Sequence, residues 1–269
     1  MSKGAMATRS IRFALMLSGF AGLALACGFF VQAPSVTSLW PLPAGRLSNI
    51  FVASILAAAA APVIWIGLCG EARALAGGAF NFAVTYAGIA LLSLLGARGP
   101  GPPELARFGA AAGGTALLCA AIFVWSGRIP FSTQRPTPLP VRLSFGFFAA
   151  ILAAVGSTLV LKRSHVFPWP ISEETSVIYG WVFLGAMCYF VYGLIVPVWR
   201  NAQGPLLGFL AYDLVLIVPY VEHFRTVRAD LRLNLAVYVA VIVYSAVLAA
   251  YYLFVHRETR FQGAGGRCG

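Results

Sequence analysis

Apolar positions in this chain come in long unbroken blocks, not in the alternation of a strand or the one-sided stripe of a surface helix. Eight blocks stand out: Phe13–Val31, Leu47–Gly70, Ala74–Leu95, Phe108–Trp125, Leu143–Leu161, Ser176–Trp199, Leu206–Val221 and Leu235–Val255. A hydrocarbon layer about 30 Å thick takes roughly 20 residues of helix, with a working range near 17–25. Every backbone N–H and C=O in that layer must be satisfied within the segment, so blocks of this length predict spanning helices. The fold class expected is therefore all-α, a polytopic transmembrane bundle of about eight helices. The seventh block is the shortest and contains Asp213 and Pro219, so the pattern leaves open whether it crosses completely. The first block invites a second reading. Lys3, Arg9 and Arg12 precede an apolar stretch containing Ala24-Leu25-Ala26-Cys27, which has the look of a cleavage site. The apolar core of a signal peptide is about 7–15 residues, and this run continues to Val31, which favours a retained helix.

Composition removes the soluble alternative. Of 269 residues 60% are hydrophobic and 10% charged, against roughly 25% charged in an ordinary globular domain. The net charge of +11 looks at first like a nucleic-acid signal. The arginines are spread singly along the chain, though, while nucleic-acid binding needs a clustered footprint, so no nucleic-acid partner is expected. Such charges instead set orientation, since cytoplasmic loops carry the excess of Lys and Arg. With the N-terminus inside, Lys3, Arg9, Arg12, Arg73, Arg128, Arg135, Arg142, Arg200, Arg257, Arg260 and Arg267 fall on the cytoplasmic side. Arg46, Arg98, Arg107, Lys162, Arg163, Arg225, Arg228 and Arg232 fall outside. Eleven against eight predicts a multi-pass protein of the cell (inner) membrane with both termini cytoplasmic. The cysteines Cys27, Cys69, Cys119 and Cys188 lie in apolar runs and read as small hydrophobes. With Cys268 the count is odd, and no disulfide framework is expected.

An internal repeat is visible. Leu39-Trp40-Pro41-Leu42-Pro43 follows the first block, and Pro168-Trp169-Pro170-Ile171 follows the fifth, the Trp-Pro pairs lying 129 residues apart. Leu75-Ala76-Gly77 opens the third block and Leu206-Leu207-Gly208 the seventh, at an offset of 131. This predicts a parallel 4+4 duplication, because units with an even number of helices enter the membrane from the same side. The expected divisions are 1–12 as cytoplasmic N-terminus, 13–125 and 143–255 as the four-helix units, 126–142 as linker and 256–269 as cytoplasmic tail. Tryptophan favours the headgroup region and proline starts or ends helices without an orphan donor. Trp40, Pro41, Trp169 and Pro170 are accordingly expected to be interfacial loop anchors, with a loop lining an outward-facing cavity as the alternative. The stretches Trp40–Gly67 and Trp169–Leu194 are similar to uncharacterised bacterial multi-spanning proteins of about eight helices. That resemblance implies a fold and no activity.

Charge buried in lipid is the strongest functional pointer a membrane sequence offers, since Asp at a helix centre costs about 2.5–3.5 kcal/mol on insertion scales. Asp213 is the acidic residue near the middle of a block. It is expected to face the interior and meet a donor among Asn81, Tyr189, Tyr192 and Tyr244. It would serve either as a proton or cation site or as an interhelical hydrogen-bond partner. His165, His223 and His256 sit at separate block ends without the spacing of a metal site, so neither a metal nor a cofactor is expected. Two readings of function follow. One is small-molecule transport or binding between the two helical halves. The other is a non-catalytic membrane subunit or scaffold, with other membrane subunits as partners beside the bilayer itself. A third, an intramembrane lipid-modifying enzyme using Asp213 or Glu222 and His223, lacks convergent polar groups.

Overall fold

A computed structural model describes residues 3–40, 42, 44–96, 103–163 and 166–261. Among them are eight helices long and apolar enough to cross a membrane. The chain runs α1 (Lys3–Phe30), a one-turn α2 (Pro34–Thr37), α3 (Arg46–Cys69), α4 (Leu75–Gly96), α5 (Pro103–Gly127), α6 (Leu139–Val160), α7 (Glu173–Ile195), α8 (Trp199–His223) and α9 (Arg232–Ala250), which tightens into a π turn at Tyr251–Val255. Within each helix the backbone bonds itself, and the chemistry of the chain shows at the ends. Ser172 caps α7 by accepting from the Thr175 amide, with Glu173 and Glu174 in the first turn where the helix dipole favours acids. Gly70 ends α3 in the left-handed region at φ 73°, which glycine adopts without penalty. The Arg12 guanidinium donates to the carbonyls of Gly67, at 2.9 Å, and Leu68, taking up acceptors that α3 leaves open. Lys162, outside the spans, pairs with Glu173 at 3.0 Å, which raises its pKa above the ordinary lysine value.

The break between the sixth and seventh blocks lies elsewhere than the apolar pattern places it. The sixth block was expected to reach Trp199, but α7 stops at Ile195. Pro197 has no N–H to give and pushes the residue before it out of the helical region, and Val196 sits at φ −117°, ψ 77°. The seventh helix then begins at Trp199, seven residues before the apolar block, and continues to His223, with Pro205 and Pro219 inside it. The doubtful seventh segment is thus a 25-residue helix, within the length needed to span. The cysteine reading also fails at one point: Cys69, the last residue of α3, is disulfide-bonded, while Cys27, Cys119 and Cys188 are free.

By contact the chain groups into two compact units. Unit 1 comprises Met1–Ala72, Phe167–Trp169 and Ala202–Gly269, and so holds α1, α3, α8 and α9. Unit 2 comprises Arg73–Val166 and Pro170–Asn201, and so holds α4, α5, α6 and α7. Lipid tails are as apolar as leucine, so packing between helices in a membrane relies on close approach at small residues. In unit 2, α4 meets α7 where Gly88 lies against the Trp181 indole, Gly77 against Tyr189, and Gly185 against Thr85 and Asn81. Gly156 of α6 and Gly180 of α7 approach backbone to backbone. In unit 1, Gly208 of α8 lies against the Ala58 carbonyl of α3, and Gly19 of α1 against Ile64. The most buried span is α3, 61% of it inside the protein; α1, α5 and α9 are 17%, 17% and 22% buried and expose apolar side chains such as Phe13, Leu117 and Leu233.

Filling the closest of these contacts is expected to show in stability. Gly88→Ala would drive a methyl into the Trp181 ring and should cost about 1–3 kcal/mol by overpacking. Gly114→Ala, on α5 with nothing within 4 Å of the added carbon, should be neutral or gain up to about 1 kcal/mol of helix propensity. Thermal unfolding of the two variants in detergent measures the difference.

Candidate functional site

Among the described residues two carboxyls are buried, Glu71 just after α3 and Asp213 on the α8–α9 pair of unit 1. Asp213, 1% exposed, stands near the middle of α8. Its partner is Ser245 of α9, whose hydroxyl donates to Asp213 Oδ2 at 2.6 Å and lies 3.0 Å from the Ile242 carbonyl. Among the described residues no Lys, Arg or His pairs with this carboxyl. Ser245 is there because of helical register. Leu235, Tyr238, Ile242, Ser245 and Ala249 recur at three- and four-residue steps along one stripe of α9, of which Leu235, Ile242, Ser245 and Ala249 are buried. Two turns from Ser245, the Tyr238 hydroxyl meets that of Tyr212, the residue before Asp213.

Beside this polar pair lies an aromatic cluster. Phe51 of α3 packs on Phe167 at 5.2 Å between centroids, on Trp169 at 6.1 Å and on Tyr212 at 6.1 Å. Phe167 stacks at 4.7 Å from Trp169, and Tyr220 lies 5.5 Å from Trp169 and 5.2 Å from Tyr238. The Trp169 indole donates to Ser48 Oγ at 3.1 Å, so a buried ring keeps its polar atom satisfied. His223 holds the same segment: its Nε2 donates to the Pro168 carbonyl at 2.9 Å, since a carbonyl only accepts, which leaves Nδ1 to accept from Thr226 at 3.0 Å. Glu222 is exposed, so it does not converge with His223 on a common point.

The residues expected around Asp213 are placed as follows. Tyr244 is one position from the true partner but a third of a turn away, and is 46% exposed. Asn81, Tyr189 and Tyr192 belong to the α4–α7 packing of unit 2. Asn81 accepts from Thr85 at 3.3 Å, Tyr189 covers Gly77, and Tyr192 lies 5.9 Å from the Arg73 guanidinium. Of the Trp-Pro loops, Trp169 is a buried member of the aromatic cluster, Pro170 is exposed and Trp40 is half-buried. Pro41 and His165 lie outside the described residues. One polar group escaped the sequence reading: Arg200, Asn201 and Gln203 at the start of α8 are 4%, 1% and 1% exposed. The Asn201 amide donates to the Val196 carbonyl at 2.9 Å, a capping role for which Pro197 is the sequence signal. Among the described residues no three His, Cys, Asp or Glu side chains are grouped to hold a metal ion.

Eight apolar helices with polar side chains turned inward define an integral, multi-pass membrane protein. Compared with known protein families, curated proteins and solved structures, the chain matches none.

The Asp213 contact has a measurable worth. Ser245→Ala strands a buried carboxyl and should cost about 1–2 kcal/mol. Tyr244→Phe, on the outer face, should stay within about 0.5 kcal/mol. Unfolding in detergent with increasing denaturant distinguishes them.

Proposed function

We propose that the protein binds or transports a small molecule across the membrane, with Asp213 as its exchangeable charge. The observation that carries this reading is a carboxyl buried at mid-span, held by the Ser245 hydroxyl and, among the described residues, by no cation. Two hydrogen-bond arrangements fit the same heavy atoms. With the carboxylate ionised, Ser245 donates to Asp213 Oδ2. With a proton on Oδ2, Asp213 donates to Ser245 Oγ, and the serine turns its own hydrogen to the Ile242 carbonyl. A proton or a small cation can then come and go without a buried group losing its partner, which is what a coupling site in a transporter requires. A second reading, a non-catalytic membrane subunit, draws support from the sparse burial of α1, α5 and α9, whose apolar faces suit lipid or a neighbouring helix.

The 4+4 duplication is proposed alongside. Gly77 lies against Tyr189 and Gly208 against Ala58. Adding 131 to 77 and to 58 gives 208 and 189, so one contact is the image of the other under the offset seen in the sequence. In each case the third helix of one copy meets the second helix of the other. This exchange accounts for the composition of both contact units, each joining two helices from either half.

Orientation is proposed from the arginine count, with both termini on the cytoplasmic side of a bacterial-type inner membrane. The disulfide at Cys69 pulls the other way: that helix end is bound by Arg12 near the N-terminus, and disulfides persist in oxidising compartments. The count of eleven basic residues against eight is drawn from the whole chain and carries the assignment over this single bond. A reporter fused to the N-terminus should be accessible only after the membrane is permeabilised. Labelling in intact cells would reverse the topology.

For Asp213 the variant of choice is Asp213→Asn, which keeps the shape and an acceptor for Ser245 but cannot ionise. Infrared titration of the wild type should show a carboxylic-acid carbonyl band that disappears as pH rises, and the variant should lack one titrating band and bind one proton fewer. Superimposable wild-type and variant titrations would reduce Asp213 to a packing contact.

A further inference from the structure

The segment Ser126–Arg142 is expected from sequence to be a linker, yet within unit 2 it is a fixed strap. It starts at the end of α5, where Ile129 N–H donates to the Ser126 carbonyl at 3.1 Å. Phe131 lies beneath the Arg73 guanidinium, 5.2 Å from its ring centroid, and Arg73 also donates to the Ser126 carbonyl at 3.3 Å. Pro136 then bridges Val198, with the Thr137 amide donating to the Pro197 carbonyl at 2.8 Å and the Trp199 amide to the Arg135 carbonyl at 2.7 Å. The strap thus crosses the ends of α4 and α7 before entering α6. Its arginines, Arg128, Arg135 and Arg142, are exposed. No acidic residue occurs between Glu104 and Glu173, so the segment brings no counter-charge of its own.

What lies next to Arg142 gives this charge a direction. Leu139, 62% exposed, Leu143, 66%, and Phe147, 50%, are exposed on α6. They recur every four residues, so they form one strip along the helix, and Arg142 flanks the start of that strip between Leu139 and Leu143 in the first turn. A guanidinium beside the start of an apolar strip suits a phosphate headgroup with its acyl chain on the strip, and arginine is suited to phosphate by its fork of donors.

We propose that this face is a seat for an acidic phospholipid, with the headgroup on Arg142, assisted by Arg128, and a chain along Leu139, Leu143 and Phe147. The strap, by holding its arginines in place, lowers the ordering cost of the contact. The proposal does not depend on Asp213 or on which way the protein is oriented.

The test uses the full chain in neutral detergent with phosphatidylglycerol or phosphatidylcholine of identical chains, read as lipids retained per protein in native mass spectrometry. Wild type should retain phosphatidylglycerol preferentially, by about fivefold per engaged arginine. R128Q/R142Q should lose most of that preference. R225Q/R232Q, at the junction of α8 and α9, should keep it. L143S/F147S should bind both lipids less and preserve the preference between them. Equal retention of the two lipids by wild type would overturn the proposal, as would an undiminished preference in R128Q/R142Q. So would displacement of phosphatidylglycerol by millimolar inorganic phosphate, which would make the site one for a free anion.

Discussion

A backbone amide or carbonyl in hydrocarbon has no water to turn to, and the architecture of this protein follows from that shortage. Inside a helix the need is met by the i to i−4 ladder. At each helix end it is not, and the chain spends its scarce polar side chains there. Arg12 takes the last carbonyls of α3, Ser172 the first amides of α7, and Asn201 the Val196 carbonyl at the break before α8. Where no side chain serves, a second piece of backbone does, as when Arg135 and Thr137 pair with the Pro197–Trp199 segment.

With backbone needs settled, what joins helix to helix is shape. Glycine at a crossing lets a neighbouring ring or carbonyl come close, as at Gly88 with Trp181 and Gly208 with Ala58. The aromatic side chains take up the remaining volume, most densely where Phe51, Phe167, Trp169, Tyr212, Tyr220 and Tyr238 meet. Against such a background the Asp213–Ser245 pair is distinct in kind. It is not needed to end a helix or fill a gap, and a leucine in place of Asp213 would sit more cheaply in the apolar run around it. Its presence at mid-span is the reason to read a function there.

The eight helices long and apolar enough to span were legible because length and apolarity are properties of single segments. The start of α8 was not, since Trp199-Arg200-Asn201-Ala202-Gln203 is polar enough to pass for a loop, and only its burial against the rest of the protein makes it helix. Asp213 was found by the same segment-level logic, while its partner was missed by one residue. Tyr244 and Ser245 are equally polar in sequence; choosing between them requires knowing which face of α9 meets α8, and that follows the Leu235–Ile242–Ala249 stripe. Trp169 was misleading for a related reason. A tryptophan beside proline suits the membrane surface, but a serine at position 48 with which to bond lets the ring be buried. Pairings between distant segments are the part a single pass along the sequence does not display.

Helix α8 carries both the buried acid and two internal prolines. Pro205 and Pro219 each remove a donor from its ladder, leaving the carbonyls of Asn201 and Val215 without their usual helical partner. A helix so interrupted is easier to bend than its neighbours, and it carries Asp213 between the two prolines. If the Ser245 hydroxyl alternates between the carboxyl and the Ile242 carbonyl as the proton comes and goes, the hydrogen bond tying α8 to α9 changes its direction, and with it its strength, since a bond to an ionised acceptor is about twice as strong as a neutral one. A change in charge at position 213 would therefore alter how firmly this proline-interrupted span is held. That coupling of protonation to helix mobility is the physical route by which a lone acid at mid-span can do more than fix packing.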